Sequence, residues 1–144
     1  MTAGPQRAGL PAPRVWAAVA VGGAVGSEAR YLLGLAFPQP AAGVDLVVLW
    51  VNVAASLALG WLTGRWSARP APDWVRAGLG PGLLGGFSTF SALALSLERL
   101  TAAGSAAEAA GYLAASLLLG LGAAALGLFL GLRRGRNRGA GAGA

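Results

Sequence analysis

Polar side chains embedded in long apolar stretches are the residues here that could do chemistry. Glu28 and Arg30 stand late in the first stretch, and Asn52 and Ser56 in the second. Ser88, Thr89 and Ser91 fall in the third, Tyr112 and Ser116 in the fourth. In hydrocarbon such groups are costly, so they turn toward protein or water and mark packing contacts or an ion path. Asn52 and Ser56 are four residues apart and share one helix face, as do Tyr112 and Ser116. Interhelical hydrogen bonding accounts for the hydroxyls equally well. Asn52 asks for more, because its amide carries two donors and an acceptor.

The third stretch has the oddest composition. Gly80-Pro81-Gly82-Leu83-Leu84-Gly85-Gly86-Phe87-Ser88-Thr89-Phe90-Ser91 holds four Gly, one Pro and three hydroxyls. Gly and Pro weaken a helix, and a glycine pair followed by Ser and Thr invites a local break. Unwound backbone at membrane depth survives only where protein or a water-filled cavity satisfies it. Freed carbonyls aimed at one point can hold a bare cation, as in the broken helices of transporters. The residues therefore predict a break near Gly85 to Ser88, a cation site there, and a polar path past Asn52. They do not name what moves.

The elements that position these residues follow from composition. Of 144 residues, 56% are hydrophobic, 24 are Gly and only 11% are charged. Soluble domains carry about 25% charged residues, and disordered chains need low hydrophobicity, so the chain belongs in a membrane. There is no Cys and no His, which removes thiol nucleophiles, Cys/His zinc sites and His-based acid–base catalysis. With no buried carboxylate pair either, an enzyme is not expected.

The charges divide the chain into four apolar spans, at about 15–35, 46–64, 77–97 and 109–132. Each is near the roughly 20 residues that a helix needs to cross hydrocarbon. A cleaved signal peptide would explain Arg7 and Arg14 before an apolar run, but that run continues through Tyr31, Leu32 and Leu33. Expected around the four-helix domain (14–132) are a disordered N-terminus (1–13) and a basic Gly/Ala-rich tail (133–144), disordered after Arg138. Four spans put both termini and the middle loop on one side. Nine of the 11 Arg lie on that side, against only Arg99 on the other. This bias places the termini in the cytoplasm of a multi-pass plasma-membrane protein. It also makes the net charge of +6 a matter of topology, so no nucleic-acid partner is expected. The glycine pairs Gly22/Gly26, Gly60/Gly64, Gly82/Gly86 and Gly127/Gly131, each at four-residue spacing, predict close helix packing.

At this point the residues resemble the CrcB/Fluc family of fluoride channels. Gly85-Gly86-Phe87-Ser88-Thr89-Phe90-Ser91, followed by Glu98, is similar to that family's third-helix pattern, Gly-Gly-x-Thr-Thr-Phe-Ser-Thr-Phe with a Glu soon after. Val51-Asn52 followed by Gly60 resembles its second helix. Gly22-Gly23-Ala24-Val25-Gly26-Ser27-Glu28-Ala29-Arg30-Tyr31 resembles its first, Gly-Gly-x-x-Gly-Ala-x-x-Arg-Tyr. The likeness covers all four spans in order.

The resemblance implies an all-α membrane fold with a broken third helix, assembled as an antiparallel, dual-topology-like dimer with two fluoride pores at its interface. A structural, non-transported Na+ would be held by the backbone carbonyls of Gly85 and Ser88. Ser88 stands where the pattern has Thr, a change that backbone ligation tolerates. The pore asparagine maps onto Asn52, and the first box phenylalanine onto Phe90, whose positive ring edge can face an anion. Ser91, Tyr112 and Ser116 would continue the track. Arg30 would sit at the pore mouth or form a structural ion pair with Glu28 or Glu98. Uncharged donors suit a strongly hydrated anion that must be bound and released.

One departure is larger. Leu93 stands at the position of the second box phenylalanine, and Ala92 precedes it. Together with the Arg bias, this suggests a fixed orientation and an oppositely oriented paralogue as partner. The competing reading is a small multidrug-type four-helix exporter, which would need an intramembrane carboxylate, for which Glu28 is the candidate. A membrane anchor is the third, though the broken segment and Asn52 would be superfluous in it.

Overall fold

Pro13 opens the first helix at a position where the missing N–H goes unmissed. In the computed structural model, residues 10–38 and 43–140 are described, with side chains as far as Arg133. Helix α1 runs Pro13–Ala36 (24 residues) and closes with the Phe37 N–H donating to Leu33 O at 3.0 Å. Helix α2 (Leu46–Ala68) starts at Asp45, whose carboxylate accepts the Val48 N–H at 2.9 Å. An N-cap of this kind satisfies a backbone donor that the first helical turn leaves open.

The third span is assembled from pieces. Helix α3 (Asp73–Ala77) passes into a π-helical stretch, Gly78–Leu84, that contains Pro81, and then into the single turn α4 (Gly85–Phe87). Proline lacks the N–H that an α-helical ladder needs there, and a π-bulge is one way to absorb that loss. Ser88 (φ −73°, ψ 157°) and Thr89 (φ −150°, ψ 121°) are extended, and α5 (Phe90–Ala102) then restarts the helix. Gly104, in the left-handed region at φ +79°, turns the chain into α6 (Ala106–Ala140).

Every regular element among the described residues is helical, with no strand among them. Among the described residues, three segments are long and apolar enough to cross a membrane: Leu46–Ala68, Asp73–Ala102 and Ala106–Arg133. Helix α1 has the length, about 36 Å at 1.5 Å per residue, but Glu28 and Arg30 dilute its apolar character. The expected break lies at Ser88–Thr89, at the far edge of the anticipated window, and the π-helical stretch before it was not expected from the sequence. Helix α6 also runs on past the expected end at 132, through the basic segment to Ala140. Of the disorder expected over 1–13 and after Arg138, residues 1–9 and 141–144 lie outside the described residues, whereas Pro13 and residues 139–140 are helical.

The glycine pairs lie where backbones touch. A methyl group added at Gly22 would come within 2.9 Å of Leu83 N, and one at Gly26 within 2.8 Å of Phe87 N. These contacts seat α1 on the π stretch and α4. Gly60 and Gly64 meet α6 at Leu128 N and Leu132 N, at 3.0 and 2.9 Å. Gly127 and Gly131 return the contact at Trp61 N and Arg65 N, each at 2.8 Å. Without a hydrophobic drive between helices in lipid, this close approach supplies the dispersion contacts that hold them. The molecule is thus two glycine-lined pairs, α1 with the third span and α2 with α6. A small cluster of Val48, Leu49, Leu93, Leu100, Ala109 and Tyr112 joins α2, α5 and α6.

Candidate functional site: the break in the third span

Where the helix stops at Phe87, its backbone groups need new partners, and α2 and α1 supply them. Asn52 Nδ2 donates to Thr89 O at 3.0 Å, while Thr89 N–H donates to Asn52 Oδ1 at 2.8 Å. The amide thereby pairs with the Thr89 backbone much as a neighbouring strand would. Thr89 Oγ1 in turn caps α5 by accepting the Ala92 N–H at 3.2 Å, and lies 3.1 Å from Ser91 Oγ. From α1, Ser27 Oγ and Arg30 Nε both donate to Gly86 O, at 3.4 and 3.3 Å.

These bonds leave carbonyls over. In an unbroken helix the Thr89 N–H would serve the Gly85 carbonyl, but Asn52 takes it. The Ser88 peptide is extended beyond the last turn, with the Ser88 N–H and Oγ both donating to Leu84 O at 2.9 Å. Gly85 and Ser88 line one cavity of about 350 Å³, together with Ser56 of α2. A second cavity of about 240 Å³ lies on another side of the break and is lined by Arg30, Asp45 and Thr89. No group of three or more His, Cys, Asp or Glu able to hold a metal occurs among the described residues. A cation here would therefore meet neutral, hard carbonyl oxygens, the donors that alkali cations accept in broken membrane helices.

Phe90 begins α5 and is 79% exposed on the single chain, with Ser91 exposed beside it. Tyr112 is 3% exposed, and its hydroxyl donates to Asp45 O at 2.9 Å, tying α6 to the start of α2. Ser116 Oγ, one turn further on, is buried without a hydrogen-bond partner. The shared face of Tyr112 and Ser116 thus divides into one committed hydroxyl and one free hydroxyl.

Of the two roles expected of Arg30, pore mouth or structural ion pair, the pair is not formed: among the described residues Arg30 bonds Gly86 O and pairs with neither Glu28 nor Glu98. Glu98 is exposed on α5. Leu93, where the resemblance has the second box phenylalanine, is 7% exposed within the cluster of α2, α5 and α6, whereas Phe90 is 79% exposed. Two residues of the site were missed as actors, Thr89 and Asp45. Each directly precedes an apolar helix with an N-capping side chain, and that signal was available in the sequence.

Residues 17–128 match the family model described as CrcB-like protein, Camphor Resistance (CrcB). The chain is 40% identical over 107 residues to the fluoride-specific ion channel FluC 2 of Streptomyces avermitilis, covering 72% of this chain and 66% of that protein. It is 38% identical over 109 residues to the fluoride-specific ion channel FluC 2 of Geobacillus kaustophilus, covering 74% and 84%. To the fluoride-specific ion channel FluC of Rhodospirillum centenum it is 42% identical over 115 residues, covering 73% and 85%. The chain thus spans just under two thirds of the first relative and more than four fifths of the other two.

Proposed function

This chain belongs to the CrcB-like family, and from that premise we propose that it is a fluoride-specific ion channel of the cell membrane. Fluoride leaves the cytoplasm passively, driven by an inside-negative potential that favours anion exit, and its toxicity falls with its concentration. The observation that carries this reading is the clamped break. Asn52 holds the Thr89 backbone, and Phe90, the next residue, stands exposed beside Ser91. An anion passing there meets an amide N–H not used in the clamp and a ring edge of positive potential. Of the α6 pair, Ser116 is the hydroxyl with a hydrogen still to give, whereas Tyr112 has given its own to Asp45 O.

The Gly85 and Ser88 carbonyls fit a structural Na+, since the break leaves them without helical partners. Such an ion would be held on this chain by those two backbone carbonyls and would supply a fixed positive charge at the break. A second, antiparallel subunit covers Phe90. The nine-to-one Arg bias favours termini held in the cytoplasm and, with it, an oppositely oriented paralogue as partner.

The test is fluoride efflux from sodium-loaded liposomes containing the purified chain, followed with a fluoride electrode. Rapid fluoride release without chloride release is expected, either from the chain alone or once the oppositely oriented paralogue is added. Silence under both conditions would sink the channel reading. Release from the chain alone, with crosslinking that returns only homodimers, would sink the paralogue.

A further inference from the structure

At the end of the molecule away from Tyr112 and Asp45, the start of α1, the end of α2 and the start of the third span enclose a cavity of about 680 Å³. Arg14, Arg76, Asp73, Thr63, Ser67 and Trp66 are among its lining residues. We infer that this cavity binds the headgroup of an anionic phospholipid, with Arg14 and Arg76 on its phosphodiester. The inference is independent of what the channel conducts.

Depth is the first argument. Four of the five Trp (Trp16, Trp61, Trp66 and Trp74) lie at this end, with Arg65, Arg69 and Arg133 nearby. Tryptophan rings gather at the headgroup level of a bilayer, so the cavity opens where lipid phosphates are. Basic pockets between membrane helices are the usual receptors for such headgroups.

Charge and donor supply are the second. Arg14 and Arg76 are exposed, and no ion pair engages either among the described residues. Arg76 is steered by the Trp66 ring, with its guanidinium carbon 6.0 Å from the ring centroid. Guanidinium forks match phosphate oxygens in pairs. The hydroxyls do not compete for that role, because Thr63 gives its hydrogen to Leu59 O at 2.8 Å and Ser67 gives its own to Thr63 O at 2.9 Å. Asp73 distinguishes between phosphates. A carboxylate in the lining repels free phosphate, which is partly dianionic near neutral pH, yet can accept the hydroxyl of a glycerol headgroup beside a monoanionic diester. Two cations and one anion leave the lining at net +1, which suits phosphatidylglycerol.

Native mass spectrometry of the full chain in detergent tests this, by titration with phosphatidylglycerol, phosphatidylcholine and inorganic phosphate. Phosphatidylglycerol should bind about tenfold tighter than phosphatidylcholine. The double variant Arg14→Gln/Arg76→Gln should lose about tenfold or more in phosphatidylglycerol affinity. Arg69→Gln, at the same end but outside the cavity, should lose nothing. Should the double variant fail to fold, Arg14→Lys/Arg76→Lys keeps the charge, gives up the fork, and should weaken binding severalfold. Equal binding of the two lipids, or unchanged binding by the folded variants, overturns the site. Displacement of the lipid by equimolar inorganic phosphate overturns the lipid and reassigns the cavity to free phosphate.

Discussion

The side chain of Asn52 and the backbone of Thr89, 37 positions apart, are joined by two hydrogen bonds of 3.0 and 2.8 Å. Through this ring α2 holds open the extended turn of the third span, and the chain direction out of that turn decides where Phe90 points. Each backbone group left unpaired in this setting would cost about 1–3 kcal/mol, so the pairing is a condition for the break to exist at all.

Asn52→Asp replaces the Nδ2 donor with an acceptor facing Thr89 O and puts negative charge beside the proposed path. Fluoride efflux in liposomes should fall to background. Unchanged efflux would remove Asn52 from the pathway and the clamp from its support.

The ring of Phe90 lies on the open face and packs little within its own chain. Phe90→Ile should therefore cut fluoride flux by tenfold or more while the thermal unfolding midpoint of the chain stays in place. Wild-type rates would show that the ring edge contributes nothing.

Leu93 offers a sharper test of the packing around α5. Since it is buried among Val48, Leu49, Leu100, Ala109 and Tyr112, Leu93→Phe overfills a small cluster. A loss of about 1–3 kcal/mol is expected, seen as a lower unfolding midpoint, with no gain in flux. A stable variant with faster efflux would place position 93 on the conduction face.

Helix packing through glycine gives the fourth expectation. A methyl group at Gly60 would run into the α6 backbone at Ala124 and Leu128, whereas one at Gly111 meets nothing within 4 Å. Gly60→Ala should lower the unfolding midpoint measured by Trp fluorescence, as α2 and α6 are forced apart. Gly111→Ala should leave it unchanged or slightly raised, because alanine is the better helix former. Equal effects at the two positions would refute the paired-glycine packing.

Much of this molecule was legible in the residues alone. Few charges, no His or Cys and long apolar runs fixed the membrane class, because hydrocarbon admits little else. The four-residue glycine spacings located the helix contacts, since three to four residues bring side chains to one face. The Gly-Gly-Phe-Ser-Thr-Phe segment located the break to within a turn, because Gly and Pro make helix expensive there. Other matters needed the tertiary structure. Which helices pair through their glycines depends on chain topology, and identical spacings in four helices cannot choose partners. That Arg30 would answer the Gly86 carbonyl rather than a carboxylate follows from the α1 crossing, which sets Gly22 and Gly26 on the backbone of the third span. The inward turn of Leu93 and the pairing of Asn52 with Thr89 are likewise properties of a helix restarted after two extended residues. Local sequence sets the break, but the direction in which the chain leaves it is decided by what packs against it.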